Sequence, residues 1–155
     1  MFNWKYNEEC DAVFDEYDNN VRNYNCGGFA LNTRDWYRPY PQDYLCIAEL
    51  EEEVGLEEGT EECVTHMLVE FPTLRLIGSE DEAKEDESVI FFRMGGGDFH
   101  FVRKGVDGKY YHKMGSSEAV EEMEREEVYG REWCYRYDGP LVMFAYKDKF
   151  YWEVA

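Results

Sequence analysis

Asp98-Phe99-His100-Phe101-Val102-Arg103-Lys104, Gly105-Val106-Asp107-Gly108 and Lys109-Tyr110-Tyr111-His112-Lys113 form the stretch on which the fold turns. Two strand-like runs flank an Asp-Gly turn signal, which predicts a β-hairpin over Asp98–Lys104 and Lys109–Lys113. A three-residue loop, Val106-Asp107-Gly108, with Gly108 in the left-handed conformation sets Gly105 opposite Lys109 and Val102 opposite His112. His100 and His112 then share one face as diagonal neighbours, close enough for one ring to orient the other. A two-residue or four-residue loop would place them on opposite faces, so the turn decides whether the histidines form a pair.

Further strands are predicted at Thr73–Ile77, Ser88–Arg93, Leu141–Tyr146 and Phe150–Val154, with Gly95-Gly96-Gly97 as a turn. The triple glycine lacks the Lys-Ser/Thr of a phosphate loop and runs into a strand, not a helix. Gly78 to Glu87 reads as a charged loop, and Ser117–Val128 as a helix capped by Ser117.

The N-terminal half reads as helical. Cys10, Val13, Phe14 and Tyr17 repeat at helical spacing and predict an amphipathic helix over Asn7–Tyr17. Asp18 to Asn25 is rich in turn formers, and a second helix is expected from about Cys26 to Tyr37, ended by Pro39 and Pro41. A third is expected over Gln42–Glu53, broken by Gly55 and Gly59, and a fourth from an N-cap at Thr60 to Phe71. His66 lies on the Glu62/Glu70 face of that last helix, which reads as solvated surface; its spacing from Cys63 also suits a metal ligand. Helices followed by an antiparallel sheet define an α+β class.

Cys26 stands where a helix should begin. Unpaired N–H groups and the helix dipole there favour a thiolate and offer oxyanion donors, so Cys26 is expected to alkylate ahead of the other four cysteines. Gly27 and Gly28 either leave the thiol open to a substrate or let another backbone approach. With His100 as general base and His112 fixing its tautomer, a Cys-His-His nucleophilic site can be proposed. The same three side chains, Cys26, His100 and His112, could instead hold a metal, which a thiol and two imidazoles suit.

Composition narrows the partners. The 155 residues are 44% hydrophobic, enough for one domain, 1–155, with a real core. Lys and Arg number 16 against 35 Asp and Glu, a formal charge of -19. That field opposes direct binding to nucleic acid or to anionic membranes, and suits either solubility or a basic protein partner. Apolar runs fall short of the roughly 20 residues that span a bilayer, and the first residues lack an apolar signal segment, so a cytoplasmic location is expected. Five cysteines without paired spacing fit reduced thiols.

The segment Asn25-Cys26-Gly27-Gly28-Phe29 resembles the Asp-Cys-Ser-Gly-Phe signature of NlpC-type bacterial cell-wall endopeptidases, which are papain-like cysteine hydrolases. In that family the catalytic histidine begins a strand and a third residue, commonly His, follows about twelve positions later across a hairpin, as His100 and His112 do. Asn25 and Gly27 stand where the family has Asp and Ser. The resemblance implies a papain-like α+β fold in which N-terminal helices, one with the nucleophile at its start, pack on an antiparallel sheet. It implies a peptidase or amidase cutting an amide or isopeptide bond in a peptide or protein substrate, with no metal and no cofactor. Papain-type enzymes keep an oxyanion amide six positions before the cysteine, which is Asn20; Tyr17 and Tyr24 are alternatives. The competing expectation is an acidic binding or inhibitor protein, a nucleic-acid mimic of possible phage origin, without catalysis.

Overall fold

The computed structural model describes residues 4–115 and 119–147. A hairpin of β1 (Lys5–Asn7) and β2 (Ala12–Phe14) leads to α1 (Cys26–Ala30) and the long α2 (Ile47–Glu70). Then come β3 (Leu74–Leu76), β4 (Ser88–Gly95), β5 (Asp98–Lys104), β6 (Tyr110–Lys113), β7 (Val120–Met123), α3 (Arg125–Val128) and β8 (Val142–Tyr146). Six strands form one sheet in the order β3-β8-β4-β5-β6-β7, antiparallel at every pairing. The class is α+β.

Both faces of the sheet are covered, which explains why β4 is apolar at nearly every position. Alternation sends Ile90, Phe92 and Met94 toward α1 and α2, where they join Phe101, Phe144 and Leu50 in one core. Val89 and Phe91 point the other way and pack with Val102, Tyr110, Trp133 and Tyr137 in a second.

The β5–β6 turn follows its sequence chemistry. Gly108 is left-handed at φ 82°, Gly105 N–H donates to Lys109 O at 2.8 Å, and Arg103 pairs with Tyr111. Gly96 and Gly97, φ 59° and 76°, close the β4–β5 hairpin as the expected turn.

The N-terminal half departs from expectation. Asn7–Tyr17 is not a helix but the β1–β2 hairpin and its exit loop. Asp15 accepts from Tyr17 N–H and Asn19 N–H, an Asx-type arrangement that competes with a helical ladder, and Asp11 and Asp18 are left-handed. Buried Asp15 also takes the Tyr24 hydroxyl and the Arg34 guanidinium, partners that no local periodicity reveals.

The helix expected to reach Tyr37 stops at Ala30, because Asn32 and Arg34 turn left-handed and bring the Asp35 carbonyl back onto Gly28. The break expected at Gly55 is present: Ile47–Glu70, labelled α2, is two helical runs that meet in a kink there (φ 85°, ψ 177°), whereas Gly59, where a second break was expected, lies inside the second run. Thr60 lies inside it, its hydroxyl donating to Leu56 O, and Tyr44 and Leu45 lie outside.

Where Ser117–Val128 was expected as a helix, Val120–Met123 is a strand and only Arg125–Val128 is helical. Pairing from Tyr110↔Met123 to Lys113↔Val120 gives the open β6 edge a partner, which outweighs local helix propensity. Ser117 and the strand expected at Phe150–Val154 lie outside the described residues.

Candidate active site

Asn25 builds the start of α1. Its Oδ1 accepts from Gly28 N–H at 2.9 Å and from Tyr37 N–H at 3.1 Å, while its Nδ2 donates to Tyr37 O at 2.7 Å. One buried side chain thus caps the helix and ties it to the returning chain. A Cβ on Gly28 would sit 1.9 Å from the Asp35 carbonyl oxygen, and one on Gly27 would meet Tyr37 Cδ2 at 2.9 Å. The glycines are there for close approach; they do not open the site around Cys26, a residue only 4% exposed.

The hairpin grips both ends of this short helix. Arg103 donates to Ala30 O at 2.6 Å, at the carbonyl end, and Lys113 Nζ donates to Tyr24 O at 2.6 Å, just before the helix begins. Alternation accounts for the choice of residues: Arg103 and Lys113 project to the α1 face, His100 and His112 to the opposite one.

Cys26 sits at the fork between β5 and β6. Gly105 N–H points to β6, so the N–H groups of Arg103 and Phe101, two and four residues earlier, point the same way. The β5–β6 ladder comprises two pairs, Arg103↔Tyr111 and Lys104↔Tyr110. The next N–H in line, that of Phe101, faces Cys26 and favours its thiolate against the larger effect of burial.

On the far side of that fork the histidines meet. His100 Nε2 and His112 Nδ1 are 2.9 Å apart, and His112 Nε2 lies 3.9 Å from Glu121 Oε2. The Tyr137 ring stacks on His100 at 5.2 Å, and Trp133 meets it edge-on at 6.1 Å. With Nε2 engaged by His112, Nδ1 is the ring nitrogen left for a reacting group, and it is the one nearer the strand backbone.

Electrostatics differ from the sequence expectation. Burial pushes the Cys26 thiol up to about 12, and the Asp98 carboxylate adds to this; N–H bonds from Phe101 and Gly27 and the Lys113 ammonium oppose it without prevailing. Burial, then His112, pushes His100 down to about 3. Burial lowers Lys113 to about 8. The proton rests on sulfur, and both imidazoles are neutral. A five-residue helix dipole does not overcome desolvation here, so the expectation of a thiolate that alkylates first is corrected.

Asn20 caps the turn Val21–Asn23, its Oδ1 accepting from Arg22 N–H at 3.0 Å. Tyr24 is committed to Asp15, and Tyr17 packs under Arg34. The Cys26 N–H carries no partner among the described residues. His66 pairs with Glu70 at 2.9 Å on α2.

Sequence reading passed over Asn25 as a cap, Lys113 as a clamp, and Cys134. Strand alternation could have aimed Lys113 at α1. Nothing local marks Cys134, which lies 22 positions beyond His112. Its ligand atom and those of His100 and His112 all lie within 4.8 Å of one another, a group that Cys26 does not join.

Searches of family models, of curated proteins and of solved structures find no match to this chain. No helix among the described residues is long and apolar enough to cross a membrane.

Proposed function

We propose that the chain is a papain-like cysteine hydrolase, one domain that cuts an amide or isopeptide bond in a peptide or protein of the cytoplasm. The observation that carries this reading is the 2.9 Å contact between His100 Nε2 and His112 Nδ1, on a strand whose next residue, Phe101, turns its N–H toward Cys26. His112 accepts from His100 Nε2–H and so presents His100 Nδ1 as base. Substrate entry brings a carbonyl to the sulfur; Cys26 attacks as Nδ1 takes its proton, and the imidazolium then protonates the leaving amine. The Cys26 N–H, with Asn20 Nδ2 as second donor, stabilises the oxyanion. Water activated by His100 hydrolyses the acyl-enzyme.

The neutral resting pair makes this a general-base enzyme whose thiolate forms only as bonds change. Fluorogenic peptide and isopeptide libraries test it: turnover by the wild type, abolished in Cys26→Ala and in His100→Ala, is expected. Equal turnover in Cys26→Ala would end the reading.

The burial of the Cys26 thiol favours a second reading, a binding or inhibitor protein whose acidic surface meets a basic partner. Its mark would be capture of a basic protein by Cys26→Ala as tightly as by the wild type, without turnover.

A further inference from the structure

His100, His112 and Cys134 converge from β5, β6 and the turn after α3. That turn is built around the thiol. Cys134 and Tyr135 are both left-handed, φ 53° and 57°, and neither is glycine. Trp133 N–H donates to Tyr137 O at 3.0 Å, and Trp133 O accepts from Arg136 N–H and Tyr137 N–H, both at 3.0 Å. Trp133 and Tyr137 are the residues that pack on the His100 ring, so one turn fixes imidazole and thiol together.

We propose that these three side chains form a binding site for a thiophilic divalent metal ion, zinc first, which shuts off the hydrolytic site by taking its base. The distances fit. Tetrahedral zinc with bonds of about 2.0–2.1 Å to nitrogen and about 2.3 Å to sulfur separates its ligand atoms by roughly 3.3–3.6 Å. The two nitrogens stand at 2.9 Å and the whole group falls within 4.8 Å, so shifts below an ångström admit the ion. The proton shared between the rings moves from His100 Nε2 to Nδ1, while His112 keeps its own on Nε2, facing Glu121. The thiol proton is released to solvent, and water fills the fourth position. Cys134 is exposed while both histidines are buried, so an ion arrives from the thiol side. The Met114 sulfur, 4.0 Å from that of Cys134, adds a soft group at the entrance.

The binding step stands on this geometry alone; the inhibitory consequence rests on the hydrolase reading. With both nitrogens of the His100–His112 contact on the ion, His100 loses its orienting partner and its Nδ1 carries a proton, so it no longer serves as base.

Cobalt titration of the metal-free full chain tests the site without any substrate. A thiolate-to-cobalt charge-transfer band is expected in the wild type and in Cys26→Ser, bleached by zinc and absent in Cys134→Ser. Competition with a chromophoric chelator should show zinc affinity falling on the order of 100-fold or more in Cys134→Ser and in His112→Gln. Circular dichroism confirms that these variants fold. No band in the wild type, or the same band in Cys134→Ser, overturns the site. For inhibition, each protein is compared with its own metal-free rate: zinc should abolish wild-type hydrolysis and spare Cys134→Ser. A cobalt band with zinc-insensitive hydrolysis overturns the inhibitory role. A cobalt band in a protein that never hydrolyses leaves the metal site standing and removes the hydrolase.

Discussion

The Asn25 amide makes three hydrogen bonds inside the protein, yet it takes no part in the proposed chemistry. Asn25→Ala strands two N–H groups and one carbonyl and removes the α1 cap, so urea denaturation should show a loss of about 2–4 kcal/mol. A loss below the usual value of one cap would mean that water replaces these bonds. At Cys26 burial decides reactivity. Exposed Cys10, Cys46 and Cys134 should be carbamidomethylated well before Cys26, by peptide mapping of a timed iodoacetamide reaction; Cys26 first would show that the site opens in solution. His100 sets an acid limit. Its folded value, about 3, lies below the unfolded 6.5, so between those pH values the unfolded chain binds a proton that the folded chain refuses. Stability is therefore full above 6.5 and lost as pH falls, by up to about 1.4 kcal/mol per pH unit, roughly 2 kcal/mol at pH 5. His112, also lowered by burial, adds to this slope. His100→Asn should flatten it, measured by urea midpoints from pH 7 to pH 5; an unchanged slope would remove His100 as its source.

Among the elements, the β5–β6 hairpin carries the site. Gly108 sits at φ 82° with nothing near its missing Cβ, so Gly108→Val tests backbone strain alone. A cost of about 1–3 kcal/mol is expected in chemical denaturation. No cost would mean that the turn adopts another form and that the register has another origin. This hairpin was legible in the sequence because its determinants are local: an Asp-Gly turn, alternation on either side, and histidines twelve residues apart. The elements that escaped depend on distant atoms. Asp15 holds the β1–β2 exit loop through Arg34, the Asp35 carbonyl cuts α1 short, and β6 recruits residues 120–123 as a strand. Periodicity cannot register any of these. At the site the two histidines were legible as a pair and Cys26 as a helix start, whereas Cys134 joins them only through folding of the turn after α3.

At the scale of the whole molecule, charge competes with packing. A formal -19 on 155 residues sets carboxylates against one another across the surface, which opposes the compact state. Local ion pairs offset part of this. Glu80 is held down to about 2 by its bonds to Lys104, Tyr129 and Tyr110 against the pull of burial, and the Arg75 guanidinium holds Glu87 there as well. Salt acts on the two contributions in opposite directions. Long-range repulsion fades once the screening length, about 10 Å at 0.1 M, falls below the spacing of the charges, while short partly buried pairs are screened much less. The net effect of sodium chloride should thus be stabilising. Urea midpoints at pH 7.5 are expected to rise between about 0.02 M and about 0.5 M salt, most steeply below about 0.1 M, where the screening length changes fastest. A falling midpoint would show that the ion pairs around Glu80 and Glu87 outweigh the repulsion, and that the acidic excess is already balanced in the folded protein.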